Sequence, residues 1–273
     1  MAPSENAAAA VAVAQFAPGD DTAANLAEIT RLAELAVARG ARLVVFPEYS
    51  SYFTAAMGAD SVPFAQELNG EFSGALGALA ARLGIHLVAG MIEAAPGDVQ
   101  RVHNTLIAVD PSGAVVASYR KMHLYDAFGQ KESDWVVAGA HDQKPLFSWE
   151  GFTVGLQTCY DVRFPEVTRR LVDAGADLVL LPAEWVRGPL KEHHWRTLVT
   201  ARALENTIFV AAADHAPPVG AGNSMVVDPM GVELVTVGEA VEVAVAWISP
   251  SRIAEVRRVN PALALRRFGV VPR

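Results

Sequence analysis

The chain holds a single cysteine among its 273 residues, and its setting points to chemistry. Cys159 sits in Gly155-Leu156-Gln157-Thr158-Cys159-Tyr160-Asp161-Val162-Arg163-Phe164-Pro165-Glu166, between a predicted strand and a predicted helix. A lone cysteine is most often a small buried hydrophobe. At a strand-to-helix junction, however, the sharp turn exposes the side chain. The amides that open the following helix then stabilise a thiolate or an oxyanion. Such a nucleophile needs a base. His86, His103, His123, His141, His193, His194 and His215 are available, and none lies in a local motif of the cysteine proteases. His193 and His194 are adjacent, so they do not share a helix face as a metal-binding pair does. They read as a polar helix surface or pocket rim, and no metal site is expected.

Two other residues stand at comparable places. Glu48 follows Val44-Val45-Phe46-Pro47, one residue past a proline that ends a predicted strand. Lys121 ends another, in Tyr119-Arg120-Lys121-Met122-His123-Leu124-Tyr125-Asp126. Alone, the first is an ordinary loop acid or helix cap and the second an ordinary solvated lysine. Together with Cys159, all three fall at strand ends that one fold can bring together.

The elements that would do so alternate. Val11–Phe16 is a short apolar run, and Asp21 or Thr22 caps a helix with the stripe Leu26, Ile29, Leu32 and Leu35, stopped by Gly40. Arg42–Phe46 is a buried strand. Ser73–Leu83 is a helix closed by Gly84, followed by strands over His86–Glu93, Thr105–Val109 and Ala114–Tyr119, the last two joined by the type I turn Asp110-Pro111-Ser112-Gly113. The second half repeats the plan. A strand over Thr153–Thr158, a helix over Phe164–Ala174, a strand over Leu178–Leu181 ended by Pro182, a helix over Leu190–Leu204 and strands at Ile208–Ala213 and Ser224–Val227 lead to a second turn, Asp228-Pro229-Met230-Gly231, and a further strand. Asn104-Thr105-Leu106-Ile107 echoes Asn223-Ser224-Met225-Val226, and Val45-Phe46-Pro47 echoes Leu180-Leu181-Pro182. A β-α-β-α-β-β unit used twice, with an internal pseudo-two-fold repeat, predicts an α/β fold of two mixed sheets. Each sheet has helices on one face, and the pair packs as a four-layer α-β-β-α sandwich.

Composition narrows the class. Hydrophobic residues make up 52% and charged residues 19%, enough apolar surface for one large core. A net charge of −8 argues against a nucleic-acid partner, which needs a basic face for phosphates. One cysteine fits a reducing compartment and excludes an intrachain disulfide framework. Met1–Ala14 lacks a basic region before its Ala/Val run, and no apolar run reaches the 18 or so residues of a membrane span, so a cytoplasmic protein with no membrane partner is expected. Residues 1–250 read as one domain. The remainder, 251–273, carries Arg252, Arg257, Arg258, Arg266, Arg267 and Arg273 against Glu255 alone, which leaves −13 for the rest. This basic helix and tail is either solvated or an arm that docks on the acidic surface of a second copy, giving a homodimer or higher homo-oligomer.

Three segments carry a resemblance. Phe46-Pro47-Glu48, Arg120-Lys121-Met122-His123-Leu124 and Cys159-Tyr160-Asp161-Val162-Arg163-Phe164-Pro165-Glu166 resemble, in this order, the glutamate, lysine and cysteine motifs of the nitrilase superfamily of carbon–nitrogen hydrolases. The similarity runs from about Val11 to Trp247, nearly the whole chain. It implies the same sandwich, oligomers and a Glu-Lys-Cys triad. Glu48 would take the thiol proton and Cys159 attack an amide carbon. Lys121, with the Tyr160 backbone N–H, would hold the oxyanion. Ammonia would leave from a thioester, which Glu48-activated water then hydrolyses. The lysine is also expected to keep Cys159 readily ionised and Glu48 anionic, and no cofactor is implied. Glu132 matches a second family glutamate that orients the lysine and contacts substrate. Arg163 either pairs with Asp161 or Glu166 or holds a substrate carboxylate, and Trp185 and Trp195 are candidates for the pocket lining.

Within the superfamily, Cys-Tyr-Asp-x-Arg-Phe-Pro-Glu and Lys-x-His-Leu-Tyr-Asp resemble the amidases of ω-amides of dicarboxylic acids and of deaminated glutathione. Two departures, the short loop between Lys121 and Glu132 and the segment Pro182-Ala183-Glu184-Trp185, fall where a pocket would be bordered. Nitrile and N-carbamoyl amino acid hydrolysis use the same triad. Outside hydrolysis, a redox-sensing thiol would need a partner thiol that this chain lacks, and a non-catalytic scaffold would normally have lost a triad member.

Overall fold

Alternating apolar residues resolve into two buried faces. In the computed structural model, which describes residues 8–272, Val11 and Val13 of the first strand point into one core while Ala12 and Ala14 point into another. Leu178 and Leu180 enter that first, shared core and Val179 and Leu181 a third. Such strands need cover on both sides, which is the condition for a layered fold.

The first half contributes β1 (Ala9–Gln15), α1 (Thr22–Ala38), β2 (Leu43–Val45), α2 (Glu71–Leu83), β3 (His86–Ala95), β4 (Asp98–Val109) and β5 (Val115–Arg120). The second contributes β6 (Leu146–Trp149), β7 (Phe152–Leu156), α3 (Pro165–Asp173), β8 (Leu178–Ala183), α4 (Lys191–Asn206), β9 (Phe209–Asp214), β10 (Met225–Val227) and β11 (Glu233–Thr236), followed by β12 (Glu242–Ile248) and α5 (Pro250–Val259). The sheets have the orders β12-β1-β2-β3-β4-β5 and β11-β10-β9-β8-β7-β6. In each, three parallel strands are flanked by antiparallel ones. Helices α1 and α2 cover the outer face of the first sheet through Ile29, Leu32, Phe72 and Leu76, and α3 and α4 that of the second through Leu171, Trp195 and Val199. The four-layer α-β-β-α sandwich and its two-fold repetition are as the sequence predicts.

Asp21 caps α1 by accepting from the amides of Ala23 and Ala24, and Gly84 ends α2 at a φ of 68°, the left-handed conformation that glycine adopts without strain. Two strands go beyond the expected unit. β6 precedes β7 and β12 pairs with β1, so each sheet gains an antiparallel edge, and the end of the chain returns to the first sheet. The expectation that Pro182 ends its strand fails. β8 runs to Ala183, with Pro182 opposite Ala213. β7 stops opposite Leu180, so beyond it β8 has a neighbour on one side only, and proline's missing N–H breaks no ladder there.

The basic C-terminal segment is partly committed to its own chain. Ile253 and Val256 of α5 are buried, Arg252 pairs with Asp228, and Arg266 pairs with Asp173 at 2.5 Å. Arg273 lies outside the described residues. No described helix is long and apolar enough to cross a membrane.

Candidate active site

The carboxyl ends of the parallel strands converge on one cavity of 440 Å³, the usual place for a ligand in such sheets. Glu48 lies just beyond β2, Lys121 just beyond β5, Cys159 beyond β7, Glu184 beyond β8 and His215 beyond β9. All but His215 line that cavity, together with Tyr125, Glu132, Tyr160, Trp185 and Lys191.

Lys121 is the centre of the cavity floor. Its ammonium is 2.9 Å from Glu48 Oε1 and 2.9 Å from Glu132 Oε2, and its side chain is only 2% exposed. Burial works against that charge, but Glu132 and Glu48 outweigh it, and the ammonium is held well above the usual lysine range. Each carboxylate is itself fixed. Asn104 Nδ2 donates to Glu48 Oε1 at 2.6 Å and to Glu132 Oε1 at 3.0 Å. Tyr49 OH donates to Glu132 Oε1 at 2.6 Å and the Tyr125 amide to Glu132 Oε2 at 2.6 Å. The Glu184 amide donates to Glu48 Oε2 at 2.7 Å. Burial opposes the charge on Glu132, and Lys121 with these donors keeps its carboxyl below the usual range.

Glu48 also owes its place to backbone. His215 Nε2 donates to the Glu48 carbonyl at 2.6 Å, and burial pushes His215 down to about 4, so the ring is a neutral donor. Beneath it, a Cβ built on Gly90 of β3 would lie 2.5 Å from the Tyr49 nitrogen and 2.7 Å from Glu48 Cα. Only glycine allows the two segments to approach so closely.

Cys159 adopts a φ of 44°, left-handed and strained for a residue with a side chain, at the first position of a short 3₁₀ turn over Cys159–Arg163. This elbow is tied to the lysine strand through Asp161. Its carboxylate accepts from Tyr119 OH at 2.7 Å, the His123 amide at 3.1 Å and the Thr158 amide at 3.2 Å, and His123 Nδ1 lies 2.8 Å away. The thiol donates to the Glu184 carbonyl at 3.5 Å. Here the expected electrostatics are corrected. Burial first, and the Glu48 charge second, push the Cys159 thiol well above the usual range, and Lys121 only partly offsets them. Cys159 therefore rests as a thiol, because burial and the Glu48 charge together outweigh the Lys121 ammonium.

Comparison with known proteins agrees with this arrangement. The carbon–nitrogen hydrolase family matches residues 10–258. The chain belongs to that family. It is 44% identical over 214 residues to a deaminated glutathione amidase of Escherichia coli, a match covering 76% of this chain and 78% of that protein. It is 34% identical over 256 residues to a deaminated glutathione amidase of Synechocystis, covering 89% and 93% of the two chains. Among solved structures, a carbon–nitrogen hydrolase superfamily protein from Xanthomonas campestris with an arsenic adduct in its active site superposes with a TM-score of 0.86 at 28% identity, covering 97% of this chain and 99% of that one.

The remaining predicted residues of this carbon–nitrogen hydrolase divide. Tyr160 and Trp185 line the cavity, whereas Trp195 is fully buried behind it and packs on Trp185 with ring centroids 5.4 Å apart. Trp195 belongs to the core, not the pocket. Arg163 pairs with neither Asp161 nor Glu166, since Asp161 is saturated by the elbow. Its guanidinium instead lies 4.8 Å from the centroid of Trp185, with Phe128 and Tyr160 within 6 Å. Both departures noted in the sequence border the cavity of the hydrolase, through Tyr125 and Gln130 on one side and Glu184 and Trp185 on the other.

Sequence reasoning missed Tyr49, Asn104, His215, Glu184 and Lys191. Asn104 does carry a signal in the sequence, as a polar residue inside an apolar strand, beyond its part in the internal repetition. Glu184 was marked only through its segment, Pro182-Ala183-Glu184-Trp185, and Lys191 carried no local signal, because the interest of both lies in what they fail to pair with.

Proposed function

We propose that this hydrolase is an amidase that releases ammonia from a small linear carboxamide of the deaminated glutathione or ω-amide type, through a thioester on Cys159. The observation that carries the reading is the strained cysteine elbow opening into a cavity whose floor is the Glu48–Lys121–Glu132 cluster. The named activity of the relatives and the two-carboxylate clamp on Lys121 support it.

The resting thiol gives Glu48 its task. Glu48 takes the proton from Cys159 Sγ as sulfur attacks the amide carbon, and the carbonyl electrons move onto oxygen. Lys121 and the Tyr160 backbone N–H stabilise that oxyanion. A fixed donor of this kind is commonly worth about 10²–10³ in rate. The proton held by Glu48 passes to the leaving nitrogen, the C–N bond breaks and ammonia departs. Glu48 then takes a proton from water as it attacks the thioester, and the thiol and a carboxylate are released. Glu132 holds Lys121 in place with Tyr49 and Asn104 behind it.

The test is ammonia release across deaminated glutathione, ω-amides of dicarboxylic acids, simple aliphatic amides, nitriles and N-carbamoyl amino acids, with Cys159→Ala as control. The amides of the first two groups are expected to turn over fastest. Wild-type turnover by Cys159→Ala, or an acyl adduct mapped to another residue, would overturn the covalent route. A cytoplasmic site of action, where the single thiol stays reduced, goes with this proposal. So does a homodimer or larger assembly, for which the exposed Leu265, Phe268 and Val271 of the C-terminal segment are the support. Sedimentation of the chain truncated after Asn260 tests the latter.

A further inference from the structure

Lys191 is a charge in an unfavourable place. It is 7% exposed and forms the first residue of α4, where the positive end of the helix dipole disfavours a cation. Burial and then the Arg163 charge pull its ammonium below the usual lysine range. Among the described residues the lysine ion pairs are those of Lys121 with Glu48 and Glu132 and of Lys131 with Asp134, and Lys191 has none. Its polar contact is a hydrogen bond to Tyr125 OH at 2.8 Å. Otherwise the ammonium faces rings, 4.3 Å from the centroid of Phe128, 5.1 Å from Tyr125 and 5.3 Å from Trp185. A buried ammonium in this state is costly unless something compensates its charge.

The neighbouring groups describe the missing partner. Glu184 lines the same cavity, and its Oε1 is buried without a hydrogen-bond partner. Burial, and then the Glu48 charge, push its carboxyl up to about 8, so near neutrality it is an O–H donor. Arg163 adds a second cation against Trp185, with its Nε also unpartnered. Trp185 is locked in turn, since its Nε1 donates to the Lys191 carbonyl at 2.8 Å. An ammonium with spare N–H groups, a neutral carboxyl donor and a guanidinium behind them suit an acceptor carrying one negative charge. A phosphate dianion would bring a second, uncompensated charge toward Glu48 and Glu132.

We propose that Lys191, assisted by Glu184, is the specificity-determining anchor for a carboxylate on the acyl portion of the amide substrate. This deepens the amidase reading by assigning residues that select the substrate's charged end, and it rests on that reading for the word substrate. The ammonium donates to one carboxylate oxygen and the Glu184 carboxyl to the other, while the amide at the opposite end reaches Cys159 across the same cavity.

Binding separates this claim from the chemistry. In the Cys159→Ala protein, which cannot form the acyl-enzyme, calorimetry compares glutaramate with valeramide, and succinamate with butyramide; within each pair a carboxylate replaces a methyl group. The acidic member is expected to bind tighter by about 30-fold or more, and Lys191→Met in the same background to remove most of that ratio. Lys191→Arg, which keeps the charge, retains part of it and shows that the site is still folded. Glu184→Gln keeps a donor and lowers the ratio less. Equal affinities within a pair, or a preference that survives Lys191→Met, would overturn the anchor whether or not the wild-type enzyme hydrolyses these amides. Failure of the wild-type enzyme to release ammonia from any amide would instead strike the amidase reading.

Discussion

Two buried lysines face one cavity and are treated in opposite ways. Lys121, on the floor, sits between two carboxylates and is raised, whereas Lys191, on the wall, has three aromatic residues, one of them the phenol Tyr125, and is lowered. The floor is electrostatically complete before any ligand arrives, as the charge-stabilising role proposed for Lys121 requires if the group is not to reorganise during reaction. The wall is incomplete, and an incomplete charge is what a selective binding group looks like before its ligand is present. Variants that remove each charge should therefore have opposite effects on folding.

The largest effect belongs to the floor. Lys121→Met leaves Glu48 and Glu132 buried side by side without a cation, which costs about 3–5 kcal/mol of stability by analogy with other half-removed buried pairs. Turnover should fall about 10³-fold, equally for acidic and neutral amides. Urea unfolding and ammonia release measure the two. Unchanged stability, or a loss confined to acidic amides, would mean that Lys121 is not what holds the cluster together.

Next comes the backbone under Glu48. Gly90→Ala places a methyl group 2.5 Å from the Tyr49 nitrogen, so the Glu48 segment must move. A displacement near 1 Å at a catalytic group can cost about 10² in rate, and overpacking of this kind about 1–3 kcal/mol. Steady-state kinetics should show the loss in kcat for both classes of amide, with the acidic-to-neutral preference intact, since the wall is untouched. A selective loss on acidic amides would blur the division of floor from wall.

That division also explains what could be read in advance. The floor was legible because Glu48, Lys121 and Cys159 each follow a strand, and strand ends are set by local pattern: Pro47 after Val44-Val45-Phe46, the turn at Asp110–Gly113, the glycine-closed helices. The layered fold was legible for the same reason, since Val11, Val13, Leu178 and Leu180 alternate with residues facing the other way. β12 was not, because its partner β1 lies at the other end of the chain. Nor was the state of Cys159, which depends first on its burial and then on the charges of Glu48 and Lys121, groups far apart in sequence. Asn104 joins Glu48 and Glu132 across separations of 56 and 28 residues, which no local motif encodes.

A smaller effect is carried by pH. Glu184 is pushed up to about 8 from 4.5, and the groups that face it are Glu48, Lys121, Glu132 and Lys191. Its folded-state value lies above its unfolded one, so between pH 4.5 and about 8 the unfolded chain has lost a proton that the native protein keeps. Stability must then fall as pH rises through that window. Above about pH 8, Glu184 is anionic in both states and repels an acidic substrate. In wild-type enzyme kcat/KM for glutaramate should drop about tenfold from pH 7 to 9, beyond the drop for valeramide. Glu184→Gln should remove that difference and flatten the stability profile. Lys191 titrates in both proteins, so the contrast between their profiles isolates Glu184. Parallel profiles would show that the orphaned carboxyl plays no part in the wall.

The subtlest test concerns Lys191 without ligand. If its charge lacks a partner in the free protein, replacing it with the apolar, slightly shorter side chain of Lys191→Met should stabilise the fold. Tyr125 OH loses one bond in the exchange, a cost of about 1 kcal/mol, while removal of a buried uncompensated ammonium and added apolar contact with Phe128 and Trp185 work the other way. A net gain of about 1 kcal/mol corresponds to a melting temperature higher by about 2–4 °C in a chain of this size. Glutarate should raise the melting temperature of wild-type protein and leave that of Lys191→Met almost unmoved, because a ligand stabilises only the state that binds it. A variant that melts lower than wild type, as Lys121→Met must, would place both lysines in the same structural class and remove the contrast between floor and wall.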